Sequence, residues 1–292
     1  MRVLVTGRDG QVARCLADLS GEGREIVTLG RPDLDLTNQD SVAAAIAKVR
    51  PDIVVNPAAY TAVDKAESEP DAAFAVNARG AEAMALAAAQ AGIPIVHIST
   101  DYVFAGDKDA PYVETDATGP TGVYGASKLE GETRVLAANP RAVVLRTAWV
   151  YSPYGNNFLK TMLRVAADRD LLKVVADQHG TPTYAPDIAA GIIAVCERML
   201  AEPEGDWSGV YHMVAAGETT WAGFAEAIFQ SSNERGGPSA RIEPITTADY
   251  PTPARRPANS RLDASRFETI FRHRLPGWET GVIRCLDALG QP

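Results

Sequence analysis

The sequence predicts an α/β protein: a Rossmann-type, doubly wound parallel sheet with a smaller C-terminal substrate lobe. Three observations carry that reading. Short, nearly uninterrupted apolar runs recur at 3–5, 26–29, 53–55, 95–98 and 143–145. Alanine-rich stretches with apolar residues at helical spacing, such as 42–49 and 72–91, lie between them. A glycine turn follows directly on the first run. Strands apolar on both sides belong to parallel sheets covered by helices on both faces. Such folds bind ligands beyond the carboxyl ends of their strands.

The first strand runs into Gly7-Arg8-Asp9-Gly10-Gln11-Val12-Ala13, after which a helix begins. Gly7 and Gly10 permit a tight turn and let a dinucleotide pyrophosphate approach the backbone at the helix start, where Gln11 and Val12 stand. The second strand ends Leu29-Gly30-Arg31, with no acid at its tip. A carboxylate there selects NAD and an arginine accepts the 2′-phosphate of NADP, so Gly30 and Arg31 predict NADPH, with NADH as the alternative. Asp35 and Leu36 suit an acceptor for the adenine amino group with an apolar wall beside it.

The fourth strand ends His97-Ile98-Ser99-Thr100-Asp101-Tyr102, where this fold places its chemistry. Either Thr100 or Ser99 can supply a hydroxyl to a substrate carbonyl; His97 reads as a core histidine. Downstream, Tyr124 and Lys128 are four residues apart at the start of a helix. That spacing sets both side chains on one face, where an ammonium can lower the phenol's pKa and let it exchange a proton near neutrality.

After Trp149 the rhythm changes. A loop rich in Tyr, Pro, Gly and Asn (151–157) leads into a helix and a strand near 172–176. A helix over 186–200, a strand over 210–214, a proline-rich segment (251–257) and two final helices follow. The division predicted is a dinucleotide-binding domain over 1–150, with 172–214 rejoining its sheet, and a substrate lobe made of 151–171 and 215–292.

The chain has 292 residues, 46% of them hydrophobic and 22% charged, and a formal charge of −9. That charge argues against a nucleic-acid surface, which needs a basic stripe. The three cysteines, Cys15, Cys196 and Cys285, are isolated and read as buried thiols in a reducing cytosol. No apolar run reaches the roughly 20 residues of a membrane span, and the first residues are too soon broken by Gly7 for a signal peptide. A cytoplasmic protein without membrane or nucleic-acid partners is expected, either monomer or homodimer.

The glycine turn, the hydroxyl at a strand end and the Tyr124/Lys128 pair together resemble the extended short-chain dehydrogenase/reductases. Further segments narrow the resemblance to the dTDP-4-dehydrorhamnose reductases. They are Asn56-Pro57-Ala58-Ala59-Tyr60-Thr61-Ala62-Val63-Asp64-Lys65-Ala66-Glu67, Ser99 to Phe104, Val123 to Leu129, Arg146 to Tyr151, Asp177 to Thr183, and Arg256 to Leu262. They span nearly the whole chain. The resemblance implies hydride transfer to C4 of a dTDP-4-keto-6-deoxysugar, with Tyr124 protonating the C4 oxygen. It also implies that Lys128 holds the nicotinamide ribose and tunes Tyr124, and that Thr100 orients the carbonyl. Ala58, Ala59, Tyr60 and Thr61 would line the cofactor, and Trp149 would pack on the sugar with Asp101 and Tyr102 beside it. Arg255 and Arg256, as fork-shaped cations, suit the sugar-nucleotide diphosphate.

The sequence departs from the family pattern at Ala13, where glycine is usual, and at Pro57, where alanine is common. Some members are linked to a divalent cation at a subunit contact; Cys15 stands where a carboxylate could serve, and no metal is expected. Three alternatives share the fold. A sister ketoreductase would differ only in how the sugar is turned. A sugar-nucleotide dehydratase or epimerase is the second; a dehydratase carries Thr-Asp-Glu at the strand end, whereas here Tyr102 follows Thr100-Asp101, and the reductase-like segments leave an epimerase little room. A non-catalytic regulatory subunit has no use for the complete set of Thr100, Tyr124, Lys128 and Trp149.

Overall fold

The computed structural model describes residues 1–290. Strands β1 (Arg2–Thr6), β2 (Glu25–Leu29), β3 (Ile53–Asn56), β4 (Ile95–Thr100) and β5 (Ala142–Thr147) coincide with the five apolar runs. With the later Gly209–His212 strand they form one six-stranded sheet, in the order Gly209–His212, β5, β4, β3, β1, β2. Every neighbouring pair in it is parallel. The chain adds β2 on one side of β1 and then β3, β4 and β5 on the other, so the carboxyl ends of β1 and β3 flank a crevice of the kind in which doubly wound sheets hold ligands.

Alternation along the strands explains why these runs are apolar throughout. Val3 and Val5 of β1 face a core shared with helices Gln11–Ala17 and Ala185–Ala201. Leu4 between them faces the opposite core, shared with Gln39–Val49, Ala81–Gln90 and Val135 of the Val123–Ala138 helix. A strand buried on both sides cannot spend alternate positions on polar residues. Each fully buried aliphatic side chain contributes about 1.5–3 kcal/mol, so the two cores hold the sheet rigid beneath the crevice.

The smaller lobe has its own core, in which Leu159, Leu163, Phe224, Ile228, Trp278 and Val282 are buried. Here the structure departs from the sequence expectation for 172–214. The Gly209–His212 strand does join the main sheet, and the Ala185–Ala201 helix packs on its core. The Leu171–Val175 strand does not; it pairs in parallel with Arg241–Ile245 to make a two-stranded sheet. The reason lies in its burial pattern. Leu172 and Val174 point inward and Leu171 and Lys173 outward, a one-sided strand that a sheet covered on both faces has no place for. Neither the Arg241–Ile245 strand nor the Trp221–Glu234 helix of this lobe was anticipated.

The tail after the lobe returns to the main domain. Tyr112 bridges to Leu262 and His179 to Asn259. Asn259 Nδ2 donates to the carbonyls of Lys108 and Ala110. This strap passes close to the carboxyl end of β4. No described helix is long and apolar enough to cross a membrane.

Candidate active site

The glycine turn is built to admit a phosphate. Gly7 has φ +78, a region side chains avoid, and a Cβ there would stand 3.0 Å from Cβ of Ala58. No side chain caps the following helix at Gly10, so the first-turn N–H groups from Gln11 and Val12 onward are left for an anion. The Gln11 side chain is otherwise engaged: its Oε1 accepts from Ser152 Oγ (2.8 Å) and Asn157 Nδ2 (3.0 Å) of the lobe. A dinucleotide pyrophosphate therefore fits this turn through backbone contacts.

Arg31 is exposed beside the end of β2. Sequence reasoning passed over Arg8, which lies across the same strand end. Its guanidinium donates to Arg31 O and to Asp33 Oδ2, both at 3.3 Å. A Cβ at Gly30 would press against the Arg8 backbone, 3.3 Å away. The signal was available, since Arg8 is the second residue of the turn whose glycines were read. Asp35 spends Oδ1 on Thr37, accepting from its N–H (2.9 Å) and hydroxyl (2.7 Å); these bonds hold its pKa below the ordinary value. Leu36 is buried against Gly80, where an added Cβ would meet it at 2.9 Å.

The loop after β3 is clamped from below. Asn77 accepts from Tyr60 N–H (2.7 Å) and donates to Tyr60 O (3.1 Å) and Ser127 Oγ (2.9 Å). Ala58, Ala59 and Tyr60 are half-buried and Thr61 exposed. The Tyr60 hydroxyl donates to Glu69 Oε2 at 2.7 Å. One amide thus ties the loop facing the glycine turn to the helix that carries Tyr124.

That helix, Val123–Ala138, approaches its neighbours through glycine. A Cβ at Gly125 would overlap the carbonyl of Tyr102, and one at Gly131 the carbonyl of Asn77. The close approach sets Tyr124 edge-on to Tyr102, with ring centroids 5.5 Å apart, and within hydrogen-bonding reach of Thr100. Thr100 Oγ1 also bonds Asp101 Oδ1 (3.0 Å) and accepts from Tyr102 N–H (3.2 Å). Thr100, Asp101, Tyr102 and Tyr124 thus stand together, with Lys128 one turn further along the same helix.

Their electrostatics differ from the sequence expectation. Burial first, and then the charge of Asp101, push the Tyr124 phenol above its ordinary pKa, against the pull of the Thr100 hydrogen bond. Lys128 was expected to lower it. Instead its ammonium turns to β4, donating to Ile98 O at 2.7 Å, and burial brings its own pKa down to about 8. The phenol is therefore held protonated, the state an acid needs before it acts. Burial also raises Asp101 to about 6, opposed by the Ser260 and Thr100 hydroxyls, and Tyr102 to about 12.

Because the folded pKa of Asp101 lies above its unfolded value, the folded state binds the extra proton between pH 4 and 6 and loses stability as pH rises through that window. Asp101→Asn is accordingly expected to stabilise the fold at pH 7 by up to roughly 3 kcal/mol and to flatten that slope. Urea titrations at several pH values measure both, and an unchanged slope in the variant refutes the assignment.

Trp149 and Arg256 hold positions in which partners already occupy them. Trp149 has φ +48, costly for a bulky residue. Its ring stacks on Trp221 of the lobe, centroids 3.6 Å apart, and lies over Gly180. Arg256 reaches from the strap to Asp64 Oδ2 (2.7 Å) and to Tyr102, and its buried Nη1 has no hydrogen-bond partner among the described residues. Arg255 is exposed.

Fold and site together define a dinucleotide-binding reductase of the extended short-chain type. Comparison with known proteins specifies it further. A family model described as RmlD substrate binding domain matches residues 1–291. A dTDP-4-dehydrorhamnose reductase of Sinorhizobium fredii is 52% identical over 99% of this chain and 98% of its own. A crystal structure of the Clostridium acetobutylicum dTDP-4-dehydrorhamnose reductase superposes with a TM-score of 0.91 at 38% identity, covering 99% of this chain and 100% of that one. The Bacillus anthracis dTDP-4-dehydrorhamnose reductase, solved in complex with NADP, has a TM-score of 0.90 at 35% identity, covering 98% and 99%. The chain belongs to the dTDP-4-dehydrorhamnose reductase family.

Proposed function

We propose that the protein reduces the C4 keto group of dTDP-4-dehydro-L-rhamnose to dTDP-L-rhamnose at the expense of NADPH, with Tyr124 as proton donor. The observation that carries the chemistry is a phenol kept protonated beside the Thr100 hydroxyl, on the helix turn before Lys128, at the carboxyl end of β4. NADPH, when bound, supplies the hydride to C4. The hydroxyls of Thr100 and Tyr124 bond the keto oxygen and orient the carbonyl. As negative charge grows on that oxygen it becomes a far stronger base than a phenolate, so even a phenol of raised pKa gives up its proton. Trp149 offers an aromatic face for the apolar side of a 6-deoxysugar, and Arg256 a guanidinium for the diphosphate.

Arg8 and Arg31 support the choice of NADPH, since the Arg8 guanidinium lies on the Arg31 carbonyl and Arg31 is exposed at the strand end where a 2′-phosphate is read. Arg8→Ala and Arg31→Ala are each expected to raise the KM for NADPH about tenfold, the worth of one charge-assisted hydrogen bond, and to leave that for NADH unchanged. Equal changes for both cofactors refute the assignment. The function itself is tested by following NADPH consumption with dTDP-4-dehydro-L-rhamnose and identifying the product. A product epimeric at C4 makes the enzyme a sister 4-ketoreductase; no turnover with any 4-keto-6-deoxysugar refutes the reading.

A further inference from the structure

The helix that carries Tyr124 begins without a cap of its own. Its N-cap is Gly122, extended and with no side chain to accept from the first N–H groups, and no acidic residue stands in the first turn. The earliest turn of a helix leaves those donors unpaired and frays most readily. Tyr124 lies in that turn, with Gly122 and Gly125 close on either side. Glycine loses more freedom than any other residue when a helix forms, so this turn needs support from outside.

The support comes from fifty-six residues earlier in the chain. Glu67 Oε1 accepts from the Val123 N–H at 2.8 Å. A Cβ at Gly122 would stand 2.7 Å from that oxygen, so the glycine leaves room for the carboxylate. Negative charge is also the favoured sign at a helix N-terminus. The Glu67 side chain is exposed, yet its backbone is anchored. It ends the short Val63–Ala66 helix, whose Ala66 is fully buried. The N–H groups of Ser68 and Glu69 both return to Lys65 O. On one side Asp64 accepts from Ala254 N–H (3.1 Å) and Arg256 Nη2 (2.7 Å) of the strap. On the other, Glu69 accepts from the Tyr60 hydroxyl.

We infer that Glu67 is a positioning residue for Tyr124: it supplies the cap that Gly122 lacks, and so keeps the phenol within reach of Thr100. The inference rests on the reading of Tyr124 as the proton donor. The other contacts of this turn do not replace the cap. Gly125 packs on the Tyr102 carbonyl, and Ser127 Oγ donates to Tyr124 O at 2.8 Å. These hold the helix against the end of β4 and leave the Val123 N–H to Glu67. A turn freed at its first residue lets Tyr124 swing away from the carbonyl it must protonate, while the rest of the helix stays packed.

Two measurements on the full chain test this. The first is hydrogen exchange of the Val123, Tyr124 and Gly125 amides. Exchange is expected to quicken about fivefold in Glu67→Ala, the worth of one helix cap. It is expected to slow again in Glu67→Ala with Gly122→Asn, where asparagine caps the helix locally. Unchanged exchange in Glu67→Ala overturns the inference whatever the activity. The second is kcat with NADPH and dTDP-4-dehydro-L-rhamnose. Glu67→Ala is expected to lower it about fivefold and to leave the affinity for NADPH as it is. Glu67→Gln, which keeps an acceptor oxygen, and the Glu67→Ala, Gly122→Asn pair are expected to recover most of the rate. In a Tyr124→Phe background, with no acid to position, Glu67→Ala is expected to change nothing further. An equal fall in both backgrounds, or lost NADPH affinity in place of lost rate, makes Glu67 a support of the fold or the cofactor loop and overturns the inference. Full activity in Tyr124→Phe would instead undo the reading beneath it and leave the exchange result standing.

Discussion

A Tyr124→Phe variant is expected to lose about 10²–10⁴-fold in kcat, the usual contribution of a positioned general acid, while binding NADPH as the wild type does. The substitution removes one oxygen and keeps the ring, so the edge-on contact with Tyr102 survives. The close packing of Gly125 on the Tyr102 backbone also survives. What is lost is the donor beside Thr100, and with it the proton that the reduced oxygen needs. Stopped-flow reduction at saturating sugar separates the possibilities. A variant that raises KM and spares kcat would show that the phenol only binds the sugar, and would sink its role as the acid.

The second large effect lies one helical turn beyond Lys128. Glu132 is bound by both Nε (2.9 Å) and Nη2 (2.6 Å) of Arg146 and by the Ser99 hydroxyl, and the two charged side chains are only 3% and 4% exposed. Arg146 also lies over the Phe104 ring, and its Nη1 has no hydrogen-bond partner among the described residues. Removing the carboxylate leaves a buried cation uncompensated, which costs about 3–5 kcal/mol. Glu132→Ala is therefore expected to lower the urea midpoint sharply with little change in slope. Replacing both partners by apolar residues, as in Glu132→Leu with Arg146→Met, is expected to recover most of that loss. A single variant within 1 kcal/mol of wild type, by the measure of buried ion pairs, means the pair is solvated in solution.

The parts of the molecule that could be read from the sequence are those whose physics is local. Strands β1, β3, β4 and β5 announce themselves because burial on both faces forces continuous apolar runs such as 53–55 and 95–98. The positive-φ Gly7 and the i, i+4 pair of Tyr124 and Lys128 are likewise legible, since turn geometry and helix periodicity act over a few residues. The unread parts depend on contacts between distant segments. The Leu171–Val175 strand finds its partner some seventy residues later, and nothing in either strand names the other. The direction of the Tyr124 pKa shift was misjudged because spacing reports which side chains share a face, not how deeply they are buried. Arg8 went unread because the turn was read for its backbone, at Gly7, Gly10, Gln11 and Val12, and not for the side chain between its glycines.

The stacked pair of Trp149 and Trp221 has an optical consequence. Two indoles with centroids 3.6 Å apart and planes 10° from parallel are close enough for their excited states to mix. One ring belongs to the turn after β5 and the other to a helix of the lobe. Their coupling gives the protein a built-in spectroscopic ruler between its two parts. A sugar that slides between the rings, or a lobe that swings away, erases the coupled signal in circular dichroism and restores the fluorescence of separate tryptophans, so ligand entry can be timed without attaching a label.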